Sequence, residues 1–103
     1  MYLAQVVGVV VATKKDSAME GRKILVLRPL VVDEKEPTTL KPLANTFVAV
    51  DSVGAGEGEM VLFCQGSSAR LAPGLKQAPV DAVIIGIVDT VDVLGKKIYT
   101  AAQ

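Results

Sequence analysis

The stretch FVAVDSVGAGEGEMVLFCQGSSAR, residues 47–70, decides the fold. It contains two apolar runs, Phe47–Asp51 and Met60–Cys64, separated by a loop with glycine at every second position. A dinucleotide-binding G-x-G-x-x-G needs a helix directly behind the loop, whereas the run that follows here is typical of a strand. Closely spaced glycines permit positive φ angles and the close approach of another backbone. The stretch therefore predicts two strands joined by a tight glycine loop.

The rest of the chain has the same extended character, with short β-branched runs and no segment that predicts a helix of useful length. A long first run, apolar at odd and even positions, indicates a strand covered on both faces along much of its length. The second strand is expected to stop near Pro29, which cannot donate to a ladder, and Gly86 marks a bend, a bulge or a close backbone contact. We predict strands at Leu3–Thr13, Lys23–Leu30 and Ala82–Val91, and a C-terminal hairpin that turns at Gly95 and returns over Lys97–Ala101.

Two connections complete the expected fold. Residues 33–42 carry charge and two prolines with almost nothing apolar, which predicts an exposed, mobile loop. Ser67 or Ser68 can cap a short helical turn, which Pro73 and Gly74 would end. Short strands with one helical turn predict an all-β fold, a small antiparallel barrel.

Length and composition indicate one domain, residues 1–103, that assembles with copies of itself. Half of the residues are apolar while only 4% are aromatic, so the core is built from small aliphatic side chains. A domain of this size leaves more apolar surface than one interior can bury, and we expect part of it to meet another subunit.

Charge and cysteine content argue against several partners. Eleven basic and eleven acidic residues cancel, and no basic stripe or set of stacking rings is present, so nucleic acid is not an expected partner. No apolar run approaches the length of a membrane span, and the N-terminus lacks the positive region of a signal peptide. Cys64 is the only cysteine and is expected to be a small buried hydrophobe, which suits a reducing cytoplasm.

The chain lacks the usual catalytic groups. Without histidine it has no common general base, nucleophile activator or neutral metal ligand, so we expect no enzyme activity, no metal and no cofactor. The acidic residues of the 33–42 loop are expected to be solvated charges. Ser67, Ser68 and Arg70 allow two interpretations: an anion site at a helix N-terminus, or a capped turn whose arginine bonds across a subunit interface.

Five segments together resemble one family. They are Leu3-Ala4 with VGVVVATK (7–14), GRKILV (21–26), VAVDSVGAGEGEMVL (48–62), GSSAR (66–70) and VDAVIIGIVD (80–89), and they occur in this order along nearly the whole chain. This pattern is similar to the vertex proteins of bacterial microcompartment shells, the pentamers of ethanolamine-utilisation compartments and carboxysomes. The glycine loop together with GSSAR carries most of the specificity.

The resemblance implies a five-stranded barrel similar to the OB fold, assembled as a ring of five around an axial pore. Such a protein would be structural: pentagonal blocks, placed beside hexameric shell proteins, close a cytoplasmic polyhedral shell around metabolic enzymes. Head-to-tail contacts permit such a ring without a self-complementary surface. The residues expected at the subunit interface or pore are Gly54, Ala55, Gly56, Gly58, Glu59, Ser67, Ser68 and Arg70.

One alternative from another class stays open at this point. A small OB-like module could bind an oligonucleotide or a small anion on its barrel face. That function needs stacking rings and basic residues on one strand face, and the sequence offers few of either.

Overall fold

A computed structural model describes residues 1–13, 17, 21–66 and 81–101. The described part of the chain is all β. The predicted helical turn at Ser67–Leu71 lies outside the described residues. The strands are β1 (Tyr2–Val10), β2 (Lys23–Val32), β3 (Leu40–Pro42), β4 (Phe47–Asp51), β5 (Met60–Gln65), β6 (Ala82–Ile87), β7 (Thr90–Val93) and β8 (Lys96–Thr100).

Five strands close into a barrel. The sheet runs β1-β5-β6-β4-β2, and an additional β1–β2 pairing joins its two ends. Four of the pairings around this ring are antiparallel, and β4–β6 is parallel, with Val50 opposite Val83 and Asp51 opposite Ile84. The expected all-β, five-stranded barrel with a C-terminal hairpin is confirmed, and the parallel pairing is the one departure from a purely antiparallel ring.

The predicted strand at Ala82–Val91 is wrong in its second half. β6 ends at Ile87, and the chain leaves the barrel before β7 begins at Thr90. Val91 pairs with Tyr99 in the separate β7–β8 sheet, not with the barrel. The register of β6 against β5 skips Ile85, so the irregularity expected at Gly86 is a bulge at its neighbour.

The predicted end of β2 at Leu30, near Pro29, is two residues short, because the strand continues to Val32. Pro29 lies inside the strand opposite Ala4, and its carbonyl accepts a hydrogen bond of 2.9 Å from the amide of Leu43. Pairing with β4 stops at Leu27, and pairing with β3 starts only at Leu30. On the edge of β2 that pairs with β3 and β4, Pro29 therefore lies between the two ladders. At this position no carbonyl depends on the N–H that proline lacks.

The 33–42 loop contains more regular structure than its composition predicts. Its end forms strand β3, and Asp33 and Thr39 close the connection through a backbone hydrogen bond of 3.1 Å. The Thr39 amide and hydroxyl both donate to the Glu36 carbonyl at 2.9 Å. Residues 33–39 are thus a compact, mostly exposed turn between two paired strands.

The barrel interior is a cluster of aliphatic side chains around one aromatic side chain, that of Phe63. Phe63 is the largest fully buried side chain, and Tyr2 and Phe47 pack against it with ring centroids 5.4 and 6.2 Å away. Cys64 is only half-buried, because it points to the opposite face of β5. The cluster comprises Ala4, Val6, Leu25, Leu27, Ala49, Ala55, Val61, Phe63, Ala82 and Ile84.

The first strand is covered on one face only within a single chain, contrary to expectation. Ala4 and Val6 are buried, whereas Gln5 and Val7 are exposed; after the register shift between Val6 and Gly8, Val9 lies on the core face opposite Leu25 but keeps 46% of its surface exposed. The continuous apolar run supplies residues for two faces, and the barrel uses one of them. The apolar surface left over is what the composition predicted.

Candidate subunit-contact surface

The glycine loop, residues 52–59, connects β4 to β5 and is organised around Asp51. The Asp51 side chain is only 8% exposed. Its Oδ1 accepts hydrogen bonds from the amides of Val53 (3.0 Å) and Gly54 (3.2 Å), and its Oδ2 accepts one from Ala55 (2.8 Å). A carboxylate that accepts several amides holds a loop firmly, because charge-assisted bonds are stronger than neutral ones. The glycines therefore belong to a fixed loop.

Two neighbouring strands hold the other end of the loop. Lys23 at the start of β2 donates from Nζ to the Ala55 carbonyl at 2.6 Å. The amide of Gly58 donates to the Val6 carbonyl at 2.8 Å, and the amide of Val6 donates to the Glu59 carbonyl at 2.9 Å. These bonds join the loop to both β1 and β2, so its position is set by the barrel wall.

The three loop glycines have different backbone conformations. Gly54 and Gly58 have φ angles of 84° and 86°, a region that L side chains rarely adopt. Gly56 has no positive φ; its amide donates to Glu59 Oε1 at 2.6 Å, and an added Cβ would lie 3.4 Å from that oxygen. Of the three loop glycines, only Gly54 and Gly58 therefore have the positive φ that glycine permits.

The structure brings five of the expected contact residues together in this loop, and these five differ in how exposed they are. Gly54 and Gly58 are exposed, and Gly56 and Glu59 are half-buried. Ala55 is fully buried, and its methyl group belongs to the barrel core, so any contact that it makes with a neighbour goes through its backbone. The remaining three, Ser67, Ser68 and Arg70, lie outside the described residues.

A cleft of about 600 Å³ adjoins the loop. Its lining combines the start of β2, the end of β4 and the bulge of β6. Lys23 already donates a hydrogen bond to the loop, and Asp51 already accepts hydrogen bonds from three loop amides. A ligand in the cleft would therefore have to break these bonds to bind either charged group. The cleft is lined by Gly21, Arg22, Lys23, Asp51, Ser52, Val53, Gly54 and Ile85.

Sequence reasoning missed the two charged residues that position this loop. An aspartate at a strand end, two residues before an amide that it can bind, is a turn signal, and it could have identified Asp51. Nothing in the sequence indicates the hydrogen-bond partner of Lys23, because the Ala55 carbonyl lies 32 positions away. Only the closed barrel brings the two together.

A second feature is an apolar patch on the outer barrel wall, formed by Val10, Ile24, Val26 and Val48. These residues lie on one face of three adjacent strands, because Val10 pairs with Ile24, and Val26 pairs with Val48. Val48 is 55% exposed and the other three are half-buried. Contiguous apolar surface of this kind marks interaction sites in water-soluble domains.

Among residues 1–13, 17, 21–66 and 81–101, no three acidic or cysteine side chains come close enough together to hold a metal ion. The same residues contain no helix with the length and hydropathy of a membrane span.

Comparison with known proteins identifies the family. Residues 1–89 match the family described as "Ethanolamine utilisation protein EutN/carboxysome". The chain belongs to the EutN/CcmL family. The shell vertex protein GrpN of Rhodospirillum rubrum is 47% identical over 92 residues, which are 89% of this chain and 97% of GrpN. The carboxysome shell vertex protein CcmL of Gloeobacter violaceus is 44% identical over 100 residues, 97% of this chain and 94% of CcmL.

Solved structures of family members have the same fold. Gloeobacter violaceus CcmL superposes with a TM-score of 0.83 at 44% identity, covering 97% of both chains. Rhodospirillum rubrum GrpN, described as a pentameric microcompartment shell protein, superposes with a TM-score of 0.75 at 45% identity. That superposition covers 91% of this chain and 99% of GrpN.

Family membership confirms the function class predicted from the sequence. The chain is a structural vertex protein of a bacterial microcompartment shell, and its place is in that cytoplasmic protein shell. The relatives give no support to the alternative of an OB-like module for oligonucleotides or anions.

Proposed function

We propose that the whole chain, residues 1–103, is one vertex domain that assembles into a homopentamer. In the shell, this pentamer occupies the corners between flat sheets of hexameric shell proteins. The observation that carries the proposal is the GrpN pentamer, whose fold this chain shares over nearly all of GrpN's length. The exposed apolar residues of the barrel provide the surface that such a ring needs.

The ring contact follows from two surfaces with different chemistry. The outer-wall patch is apolar, whereas the glycine loop is polar, rigid and unobstructed at Gly54 and Gly58, where nothing lies within 4 Å of an added Cβ. Contact between one surface and a different surface on the next copy is heterologous, and such contacts close into a ring when the rotation fits. We therefore assign the outer-wall patch and the glycine loop to the two sides of the subunit interface.

The protein acts without catalysis. The sequence has no histidine, and the named relatives are structural shell proteins. Lys23 and Asp51, which line the cleft beside the loop, are occupied in holding the loop. Its role in the cell is to supply five-fold symmetric units for the corners of the shell. A flat hexagonal lattice closes into a polyhedron only when such units occupy the corners.

Native mass spectrometry of the purified chain tests the ring directly. The expected species has five times the 10.8 kDa mass of one chain. Val48→Asp places a charge in the outer-wall patch and should shift the ring to smaller species. Val31→Asp is the matched control, because Val31 is also an exposed valine (39%) but lies on β2 beyond the barrel ring, opposite Lys41 of β3.

A wild-type chain that remains monomeric would refute the proposed pentamer. Equal loss of the ring in both valine variants would refute the assignment of the outer-wall patch. The shell role has its own test: hexameric shell protein and cargo are co-expressed with and without this chain. Closed polyhedra are expected only with it, and elongated or open shells without it.

A further inference from the structure

A charged side chain, Arg28, borders the outer-wall patch. Arg28 follows Val26 by two positions on β2, so both lie on the outward face of the strand, and Leu27 between them is buried. The Arg28 guanidinium donates from Nη1 to the carbonyls of Leu43 (2.8 Å) and Ala44 (3.1 Å). Both acceptors are neutral, so these bonds hold the guanidinium in place without balancing its charge.

The glycine loop presents a charge of opposite sign at a fixed position. The Glu59 amide donates to the Gly56 carbonyl at 3.2 Å, which closes a β-turn. Glu57 and Gly58 form the corners of this turn, and positive φ at Gly58 alone makes it a type II turn. The Gly58 amide ties the turn to the Val6 carbonyl of β1. Glu57 is exposed, and none of these bonds uses its carboxylate.

The other charged groups that hold the loop are engaged within the chain. Glu59 and Asp51 accept hydrogen bonds from loop amides, and Lys23 donates to a loop carbonyl. Arg28 at the border of the patch and Glu57 on the loop therefore have the charges that can pair between these two surfaces without breaking the loop.

Resting on the homopentamer proposed above, we propose that Arg28 of one copy pairs with Glu57 of the next copy around the ring. The two charges have opposite sign and belong to the two surfaces assigned to the ring contact. A head-to-tail contact repeats the same pair at every junction, so the ring closes with both charges matched. The partner is thus a second copy of this chain.

The geometry of the guanidinium suits this pair. Both of its bonds within the chain start from Nη1, so they leave the Nε and Nη2 donors unused. These two donors point along one edge of the guanidinium and match the two oxygens of a carboxylate. The pair also favours contact between unlike surfaces over contact between two copies of the apolar patch, because only the loop supplies the carboxylate.

The test reverses each charge singly and then both together, as Arg28→Glu, Glu57→Arg and the double variant. The double variant restores an ion pair across the junction, while the bonds that Arg28 makes within its own chain stay lost. Glu34→Arg is the matched control, because Glu34 is also an exposed glutamate but lies in the 33–39 turn. Native mass spectrometry over a dilution series gives the protomer concentration at which half of the rings dissociate.

We expect each single reversal to raise this concentration about tenfold or more, because like charges then meet at each junction. The double variant should return close to the wild type, and Glu34→Arg should not differ from it. A double variant as weak as the single ones, or a single reversal without effect, would overturn the pair and leave the pentamer standing. A monomeric wild type would refute the pentamer itself.

Glu57→Arg carries a second test that does not depend on whether Arg28→Glu folds. Salt screens repulsion between exposed like charges, so raising the salt concentration should lessen the defect of Glu57→Arg relative to the wild type. A defect that is the same at low and high salt would show that Glu57 contacts the ring through something other than a charge, and it would overturn the proposal.

Discussion

Replacement of Asp51 by asparagine tests whether one carboxylate holds the glycine loop. The carboxylate accepts amides on both oxygens, two on Oδ1 and one on Oδ2. Asparagine has one acceptor oxygen and one NH₂ donor of nearly the same shape. Either orientation loses at least one bond, from Ala55 or from the pair Val53 and Gly54, and turns a donor towards the amide left behind.

The magnitude follows from those bonds. A hydrogen bond to a charged group contributes about 1.5–3 kcal/mol, and a buried N–H left without a partner costs about 1–3 kcal/mol. The Ala55 amide is buried with its residue. We therefore expect Asp51→Asn to lower the free energy of unfolding by about 2–4 kcal/mol, which corresponds to a fall in Tm of about 8 °C or more for a domain of this size.

The assay is thermal and urea unfolding at one fixed protomer concentration, because assembly makes Tm depend on concentration. Hydrogen exchange of the 52–59 peptide provides a local measurement and should be faster in the variant. Asp89→Asn is the control, because Asp89 is an exposed aspartate at the base of the β7–β8 hairpin. If both variants unfold within about 0.5 kcal/mol of the wild type, the loop does not depend on the carboxylate and the reasoning fails.

Three further predictions concern the loop glycines, Lys23 and Arg70. Gly54→Ala should lower the free energy of unfolding by about 1–2 kcal/mol, because φ is positive there. Gly56→Ala should lower it less, because the added Cβ meets only a carboxylate oxygen at 3.4 Å. Equal urea midpoints for the two variants would contradict this order. Lys23→Met removes the bond to the Ala55 carbonyl and should cost about 1 kcal/mol, discounted because the lysine is exposed; the loop peptide should then exchange faster. Arg70→Ala, chosen from the GSSAR segment, should weaken the ring in native mass spectrometry more than it lowers the Tm, and an unchanged ring would make Arg70 an ordinary surface charge.

The sequence by itself determined the local elements. Phe47–Asp51 appears as the strand predicted, β5 extends one residue beyond its prediction, and the hairpin turns at Gly95 as expected. Each of these depends on neighbouring residues: β-branched runs favour extended backbone, and glycine permits the turns. The ordered motifs over residues 3–89 were also sufficient to indicate the family, because they are a linear pattern.

Only the tertiary structure decided which strands are neighbours and what each loop residue does. A period of two shows that a segment is a strand but not its partner, so neither the β1–β2 closure nor the parallel β4–β6 pair could be foreseen. Closure brings Lys23 to a carbonyl 32 positions away and seals the Ala55 side chain inside the core. Such contacts form between residues distant in sequence, and their energy depends on a geometry that exists only once the barrel is closed.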